Sequence, residues 1–381
     1  AIVDDAERGR WVATAVGERR CAVVGTDVDL PHGTEPAHLD QSAPDAPAVI
    51  GYTSGTTGAP KGAVLSHANL LASAAALALA WRWTAEDRLV LPLPLFHLHG
   101  FGVGLHGTLG AGASVVLRQG FAVDDVVDSI RTHHGSLFFG VPTMWSRLAA
   151  SGRLEELARL RLGVSGSAPL PAELHGAIAS SSGQRVIERY GMTETVMNVS
   201  NPYDGERRAG TVGFALPGVE VRLAADTDEI LLRGPNVFHG YWRRPAATAE
   251  AFVDDGWFSS GDVGAFDPDG YLRIVGRRKE LIISGGLNVY PREVEDALRT
   301  HPAVADAAVV GVADAEWGEQ VVAAIEGPGT ATEAAAVLAH VAERLAPYKR
   351  PKRLVFVDAL PRNALGKVVK AEVARLIQPD N

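Results

Sequence analysis

The stretch from Thr53 to Gly62 combines glycines, hydroxyl side chains and one lysine directly after an apolar segment. Glycines let backbone N–H groups approach phosphate oxygens, hydroxyls add donors, and lysine supplies positive charge. The stretch is not a Walker loop, because Pro60 stands where that motif needs its second glycine. We predict a phosphate-binding loop rather than an ordinary surface turn. Its candidate residues are Thr53, Ser54, Gly55, Thr56, Thr57, Gly58 and Lys61.

Two acidic residues and a lysine stand in short motifs further along the chain. Glu194 and Asp262 each offer two carboxylate oxygens as acceptors, and Lys367 offers an ammonium group as a donor. Each motif alone is commonly a turn, a helix start or a solvated tail, so their combination carries the functional interpretation.

Two further patterns have ordinary explanations. The segment 102–107 satisfies G-x-G-x-x-G, but no other feature of a dinucleotide-binding unit accompanies it. His97, His99 and His106 are close in sequence, yet neither cysteine nor carboxylate stands with them to complete a metal site. We therefore expect packing roles for these glycines and histidines unless another motif assigns one of them.

Composition bounds the class of protein. The chain has 381 residues, of which 46% are hydrophobic and 21% charged, enough for a large core and two domains. A net charge of -9 argues against general binding to nucleic acid or to a membrane surface. The single cysteine excludes a disulfide framework and favours a reducing, cytoplasmic location. The apolar stretch 70–80 is too short to span a bilayer.

The elements that must position these residues alternate between apolar strands and helical segments after residue 48. That alternation predicts an α/β domain of stacked βαβ units on a largely parallel sheet, with ligands collected at the carboxyl ends of the strands. After Gly210 the pattern changes to short β-type segments, and the last hundred or so residues read as a separate α+β unit. We place the boundary at Lys279, giving a large domain over 1–278 and a smaller C-terminal domain over 279–381.

These motifs together, in this order, resemble the adenylate-forming superfamily, which includes acyl-CoA synthetases, firefly luciferases and peptide-synthetase adenylation domains. The resemblance covers roughly Pro47 to Val373. Several ordered matches are far more specific than one motif. The resemblance implies a two-domain fold and an enzyme that activates a carboxylic acid with ATP and Mg²⁺ and transfers the acyl group to coenzyme A. The matching segments are Thr53–Gly62, Arg189–Thr195, Gly256–Asp262, Gly276–Glu280, Ser284–Asn288 and Pro361–Lys367.

The resemblance implies a role for each residue that matches a family motif. Thr193 would contact the α-phosphate and Glu194 would hold Mg²⁺. Lys367 would reach the carboxylate and the α-phosphate during adenylation, and Lys279 would be the hinge of the small domain. The other nucleotide contacts would be Tyr190 (against the adenine), Gly191, Met192, Asp262 (on the ribose hydroxyls) and Arg277. The coenzyme A contacts would be Gly285, Gly286 and Lys349.

The resemblance also indicates which carboxylic acid is the substrate, in addition to the class of reaction. The segment 188–207 is more similar to malonyl-CoA synthetases than to ligases for longer acids. In those enzymes the arginine that matches Arg147 pairs with the second carboxylate of the substrate, and a guanidinium suits a buried carboxylate. His97 would gate the acid pocket, and Ser167 and Met192 would line it. Methylmalonate, a medium-chain or aryl acid, loading of a carrier protein, and a catalytically silent nucleotide-binding module remain the alternatives.

The chain departs from the family in two places. Family members normally carry on the order of a hundred more residues before the phosphate loop, so we expect this sequence to lack the N-terminal part of the large domain. The loop over 222–229 is also shorter than is usual for the family.

Overall fold

The computed structural model describes residues 2–3, 24–25, 42–53, 60–314, 316–327, 329–363 and 366–377. The chain divides into two compact units, Ala1–Ala43 and Pro44–Asn381. In the first unit the described residues form one parallel pair of two-residue strands. The second unit contains the remaining elements and the candidate site. In the described ranges, no helix combines the length and the apolar character needed to cross a membrane.

Twenty-two strands are found among the described residues. In chain order they are β1 (Ile2–Val3), β2 (Val24–Gly25), β3 (Pro47–Thr53), β4 (Lys61–Ser66), β5 (Arg88–Leu91), β6 (Ser114–Leu117), β7 (Leu137–Gly140), β8 (Leu162–Ser165), β9 (Ile187–Tyr190), β10 (Val199–Ser200), β11 (Phe214–Ala215), β12 (Glu220–Leu223), β13 (Glu229–Arg233), β14 (Gly240–Tyr241), β15 (Phe252–Val253), β16 (Trp257–Phe266), β17 (Leu272–Arg277), β18 (Ile282–Ser284), β19 (Leu287–Val289), β20 (Asp306–Asp314), β21 (Gly318–Glu326) and β22 (Arg353–Val357).

The α-helices lie between these strands. They are α1 (His67–Ala80), α2 (His106–Gly110), α3 (Val123–Thr132), α4 (Pro142–Ala150), α5 (Ala172–Ser182), α6 (Pro245–Ala251), α7 (Pro291–Arg299), α8 (Ala331–Ala342) and α9 (Lys370–Ile377). A π-helix spans His99–Leu105, and a short 3₁₀-helix spans Arg278–Glu280. Helix α1 begins at a capping box, in which Ser66 and Asn69 exchange side-chain and backbone hydrogen bonds and so satisfy free N–H groups.

A seven-stranded sheet forms the centre of the second unit. Its order is β11-β10-β9-β8-β7-β5-β6, and the run from β9 to β6 is parallel. Strands β7, β8 and β9 are buried along their whole length, as expected when helices cover both faces of a parallel sheet. The predicted βαβ architecture is therefore confirmed.

Two antiparallel sheets stand beside this core. Strands β3, β4 and β14 form the first, in the order β14-β4-β3. Strands β12, β13, β16 and β15 form the second, and β17 pairs with β16. Strand β4 begins at Lys61, and β14 ends at Tyr241, which is registered against Ala63. These pairings bring the residues just after the phosphate loop next to β14.

The C-terminal part has its own sheet and its own apolar clusters. Strands β18 to β22 pair only with one another among the described residues, and β21 is the long central strand. Two apolar clusters there are separate from the clusters under the central sheet. Contacts keep residues 44–381 in one unit, so the boundary at Lys279 stays a prediction. Rotation about Lys279 stays a prediction.

Candidate active site

The predicted site residues gather where the parallel strands end. His97 follows β5, Ser167 follows β8, and Met192 follows β9, each within a few residues of the carboxyl end of its strand. This is the edge where parallel sheets collect their ligands, because loops from several strands meet there. Residues 54–58 of the predicted phosphate loop lie outside the described residues. Thr53 ends β3 and Lys61 begins β4, so the described residues bracket that loop.

One cluster contains the predicted ribose residue. Asp262 is 6% exposed and accepts a hydrogen bond from the Tyr190 hydroxyl at 2.7 Å. Its other oxygen lies 3.2 Å from Nε of Arg277. Burial raises the pKa of Asp262, and Arg277 opposes that shift. The structure therefore brings together Asp262, Tyr190 and Arg277, which were predicted to surround a nucleoside. It also shows a contact that the sequence did not indicate, the hydrogen bond from the Tyr190 hydroxyl to Asp262.

A second cluster surrounds the predicted metal ligand. Glu194 is 6% exposed, and its Oε1 accepts a hydrogen bond from the Tyr241 hydroxyl at 2.9 Å. The Lys61 ammonium lies 5.0 Å from the centre of the Tyr241 ring. Thr193 packs on β3, since a Cβ built on Gly51 would lie 2.7 Å from the Thr193 methyl group. Thr193 thus lies beside β3, which precedes the predicted phosphate loop. Glu194 lies beside Tyr241, whose ring faces Lys61 at the other end of that loop.

Lys367 reaches this edge from the C-terminal part of the chain. Asn363 holds its backbone, with Lys367 N–H donating to Asn363 Oδ1 at 3.0 Å and Asn363 N–H donating to the Lys367 carbonyl at 2.9 Å. Burial lowers the pKa of the Lys367 ammonium, and the nearby charges of Arg277 and Arg189 lower it further. A cation held among other cations is positioned to receive an anionic ligand.

A third cluster, which we call the Arg189 pocket, consists of His99, Ser167 and Arg189. None of the described residues supplies a hydrogen-bond partner for Nε or Nη2 of Arg189 or for Nε2 of His99, although all three atoms are buried. Ser167 Oγ lies 3.3 Å from Nδ1 of His99. Unpaired buried polar atoms cost free energy, so a group of them at one place indicates that a ligand completes their hydrogen bonds.

The electrostatics of the Arg189 pocket favour an anion. Burial lowers the pKa of Arg189 to about 9, so the guanidinium is still charged at neutral pH. Burial also lowers the pKa of His99 well below its usual value, with Arg189 adding to the shift, so His99 is neutral. His99 stacks on Phe139 with 6.4 Å between ring centres, which fixes the plane of its imidazole. The pocket therefore offers one cation and several neutral hydrogen-bonding groups.

His97 is near enough to Lys367 and Arg189 for both charges to affect it. Burial, together with the charges of Lys367 and Arg189, lowers the pKa of His97 to about 4. The π-helix just after it explains the G-x-G-x-x-G pattern as packing. A Cβ on Gly104 would lie 2.7 Å from Leu91, and a Cβ on Gly107 would lie 2.9 Å from Trp83. The prediction that this pattern is not a dinucleotide site is consistent with these contacts.

Arg147, predicted to receive a second carboxylate, stands elsewhere. It is exposed on α4, and its guanidinium lies 5.0 Å from the centre of the Phe121 ring. The buried positions of the same helix are Trp145 and Leu148. The role of Arg147 therefore stays a prediction: helical geometry exposes Arg147 among the described residues, whereas Arg189 is buried. Ser167 and His97 do lie near Arg189, and Met192 contacts the Tyr190 hydroxyl through its sulfur at 3.8 Å.

The residues predicted for coenzyme A and for the hinge lie at the surface. Gly285 and Gly286 are exposed, and both have positive φ angles in the turn between β18 and β19. Lys349 is paired by both oxygens of Glu293 at 2.6 and 2.7 Å, so it is not a free cation. Lys352 lies 4.6 Å from the centre of the Trp317 ring, and that ring packs on Gly285. Lys279 is exposed in the 3₁₀-helix.

Sequence reasoning missed three residues of the site: Arg189, His99 and Tyr241. One signal was available for Arg189, because β9 reads as a short strand and yet carries two adjacent charged residues, Glu188 and Arg189. Charged residues in a fully buried strand require partners or a ligand. No pattern in the sequence distinguished Tyr241 from other aromatic residues near strand ends.

Two family models match the chain. The model described as AMP-binding enzyme matches residues 5–242, and the model described as AMP-binding enzyme C-terminal domain matches residues 293–367. The first match alone covers more than half of the chain. The predicted boundary falls between the two matches.

Known proteins similar to the chain include CoA ligases for different acids. An indoleacetate–CoA ligase of Aromatoleum aromaticum is 41% identical over 88% of this chain and 68% of its own length. A malonate–CoA ligase of Arabidopsis thaliana is 38% identical over 88% of the chain and 61% of its own length. The crystal structure of ATP-bound MatB from Rhodopseudomonas palustris superposes with a TM-score of 0.90 at 41% identity, covering 98% of this chain and 78% of that one. The chain thus spans roughly two thirds of the length of the curated relatives.

Proposed function

This chain belongs to the AMP-binding enzyme family, and we propose that it acts as an ATP-dependent acid–CoA ligase whose substrate is malonate or a similarly short acid with a second anionic group. Family membership supports the reaction class. The observation that carries the choice of acid is the buried guanidinium of Arg189, which has no partner for two of its nitrogens among the described residues.

In the first half-reaction, an oxygen of the acid attacks the α-phosphorus of ATP, and the bond to the bridging oxygen of pyrophosphate breaks. The products are an acyl adenylate and pyrophosphate. We assign Asp262 and Arg277 to the ribose side of the nucleotide and Lys367 to the negative charge shared by the acid and the α-phosphate. Lys61 would add charge at the end of the phosphate loop.

In the second half-reaction, the thiol of coenzyme A loses its proton and its sulfur attacks the acyl carbon. The carbon–oxygen bond to AMP breaks, giving the thioester and AMP. No protein nucleophile is required, because the mixed anhydride is already activated. We assign the exposed Gly285–Gly286 turn to the approach of the pantetheine chain, since a turn without side chains lets a ligand pass close to backbone.

The Arg189 pocket would select the acid. A distal carboxylate could accept hydrogen bonds from Nε and Nη2 of Arg189, and His99, which contacts the Ser167 hydroxyl, offers a further unpaired nitrogen. An uncharged acyl tail would leave the buried guanidinium without a partner, which is unfavourable in a site that excludes water. The pocket therefore favours a dianionic acid over acetate or octanoate.

Glu194 fits a role as the Mg²⁺ ligand. It is a buried carboxylate, and burial raises its pKa above the usual value. A bound divalent cation would offset that cost, and oxygen donors are the ligands that Mg²⁺ takes. When bound, the ion would neutralise phosphate charge while Thr193 and Lys61 orient the phosphates.

The test is AMP and thioester formation from MgATP and coenzyme A with malonate, methylmalonate, acetate and octanoate. We expect turnover with the two dianionic acids. Arg189→Met, which keeps a long side chain and removes the charge, should lose malonate turnover by about 100-fold and retain ATP binding. Arg147→Ala should change malonate turnover by less than about twofold, because the charge of an exposed cation is screened by solvent and contributes little to binding.

Three other outcomes would change the proposed acid, the role of Arg189 or the proposed reaction. Preference for acetate or octanoate would remove the carboxylate role of Arg189 and keep the ligase reaction. Loss of malonate turnover in Arg147→Ala, with Arg189→Met active, would restore the role that the sequence predicted. ATP binding without release of pyrophosphate for any acid would indicate a nucleotide-binding module without catalysis.

A further inference from the structure

Tyr241 stands between two residues of the proposed nucleotide site and contacts both. Its hydroxyl donates to Glu194 Oε1 at 2.9 Å, and its ring faces the Lys61 ammonium at 5.0 Å. Glu194 and Lys61 are far apart in sequence and belong to different sheets or their loops. One side chain thus joins a carboxylate and a cation that must act on the same phosphate chain.

The backbone around Tyr241 is held on several sides. Strand β14 pairs with β4, and Trp242 N–H donates to the Gly62 carbonyl at 2.7 Å. The Tyr241 N–H donates to the Thr248 hydroxyl at 2.9 Å. A Cβ on Gly240 would lie 2.5 Å from Thr248, so only glycine lets α6 pack this closely on the strand.

The same segment also fixes the main chain of Glu194. Phe238 N–H donates to the Glu194 carbonyl at 2.8 Å, and the Phe238 ring packs edge-on against Tyr241 with 4.9 Å between centres. Glu194 is therefore held through both its backbone and its carboxylate by residues 238–241. Such support restricts the carboxylate to one rotamer, which is how outer partners tune a metal-binding oxygen.

We propose that Tyr241 is a positioning residue that orients the Glu194 carboxylate for the Mg²⁺ of MgATP and holds Lys61 beside it. The proposal rests on the proposed function for the identity of the nucleotide. The hydroxyl acts on the metal through Glu194, and the ring acts on the phosphate chain through Lys61. These two effects are separable, because Tyr241→Phe removes only the hydroxyl and Tyr241→Leu removes both groups.

The test is calorimetric titration of ATP into the 381-residue chain, with Mg²⁺ and with EDTA. For Tyr241→Phe we expect the Mg²⁺ concentration that half-saturates ATP binding to rise about tenfold, with unchanged ATP affinity in EDTA. For Tyr241→Leu we expect the same rise and, in EDTA, an ATP affinity about threefold weaker, because the cation–π contact is lost. Tyr271→Phe is the matched control: its buried hydroxyl donates to the Glu206 carbonyl at 2.8 Å and should affect neither quantity.

An unchanged Mg²⁺ requirement in Tyr241→Phe overturns the proposal. Equal weakening of ATP binding with Mg²⁺ and with EDTA in that variant also overturns it, because the hydroxyl would then serve the fold alone. If the parent chain binds MgATP but forms no thioester from any acid, the proposed function fails while the role of Tyr241 is still decided by the titrations. If the parent chain does not bind ATP, both proposals fail.

Discussion

Gly166 determines whether Arg189 can occupy its buried position. A Cβ built on Gly166 would lie 2.3 Å from Cζ and 2.5 Å from Nε of Arg189, closer than non-bonded atoms approach. Glycine at this position therefore leaves the space that the guanidinium fills. The Arg189 pocket thus depends on the absence of a side chain at Gly166 as much as on the arginine itself.

We expect Gly166→Ala to displace the Arg189 guanidinium and to lower kcat/KM for malonate by about 10- to 100-fold, with ATP affinity unchanged. Steady-state kinetics with malonate and calorimetry with MgATP provide the two measurements. Gly176→Ala is the control, because nothing lies within 4 Å of a Cβ at that exposed position on α5. Unaltered malonate kinetics in Gly166→Ala would show that Arg189 tolerates displacement and does not select the acid.

His97 gives a pH dependence of stability with a definite sign. Its pKa is about 4 in the folded protein, because of burial and of the cations Lys367 and Arg189, against about 6.5 in an unfolded chain. Between these values the unfolded state binds more protons, so the free energy of unfolding falls as pH falls from about 6.5 to about 4. His97→Gln should reduce the slope of the free energy of unfolding against pH by the equivalent of up to about one bound proton.

Urea unfolding of the parent chain and of His97→Gln at several pH values from about 7 to about 4.5 measures this effect. His99 and His175 also have pKa values lowered by burial, so a residual slope is expected in the variant. A variant whose stability falls with pH as steeply as that of the parent would contradict the assignment. The measurement concerns stability alone and is independent of any role for His97 in catalysis.

At the scale of the elements, the part of strand β16 that carries Asp262 is supported by strand β13. Glu229 is 3% exposed and accepts hydrogen bonds from the Ser259 hydroxyl and, at 2.9 Å, from the Gly261 N–H. It also pairs with Nη1 of Arg278 at 2.9 Å, and Arg278 is largely exposed. One buried carboxylate therefore supports both the segment of β16 that precedes Asp262 and the start of the connection to the C-terminal sheet.

Removing the two partners of this ion pair should have unequal effects. Glu229→Ala leaves buried donors without an acceptor, and we expect it to lower the free energy of unfolding by about 3 kcal/mol. Arg278→Ala removes an exposed cation and should cost less than about 1 kcal/mol. Urea denaturation of both variants makes the comparison. Equal decreases in the free energy of unfolding would mean that the ion pair, rather than the hydrogen bonds from Ser259 and Gly261, stabilises this part of β16.

Much of the element pattern could be predicted from sequence, because strands such as β6 and helices such as α3 have clear apolar periodicity and turn residues at their ends. Strand β21 was missed, although it is the centre of the C-terminal sheet. The direction in which each side chain points was harder to predict from the sequence. Arg147 and Arg189 are equally compatible with the sequence as anion receptors, and only packing shows that α4 turns one outward while β9 buries the other.

At the scale of the whole molecule, the predicted hinge connects two separate apolar cores. Lys279 lies in a three-residue 3₁₀-helix between β17 and β18, and the sheets on either side share no strand pairing among the described residues. Lys370 pairs with Glu280 at 3.0 Å and with Glu295 at 2.9 Å, which ties α9 to the residues just after the hinge. The segment bearing Lys367 should therefore move together with residues 280–299.

Lys279→Pro should separate the two half-reactions. Proline restricts φ but fits a short helix, so the arrangement in which Lys367 reaches Arg277 and Arg189 should be retained. We expect pyrophosphate release to be preserved and thioester formation from preformed acyl adenylate to fall, because hinge rotation would be blocked. Lys279→Ala, which leaves the backbone free, should retain both. Normal thioester formation in Lys279→Pro would place the flexible point elsewhere.

The π-helix over His99–Leu105 has a consequence for how acid preference can change between related proteins. A π-helix holds one residue more in a turn than an α-helix, and here the extra residue is accommodated by glycines packed against Leu91 and Leu98. Loss of a single residue from this turn would restore ordinary helical spacing and rotate His99 by about 100° relative to helix α2. If the Arg189 pocket selects the acid as proposed, deletion of one residue from this turn should alter the preference without any substitution in the pocket itself.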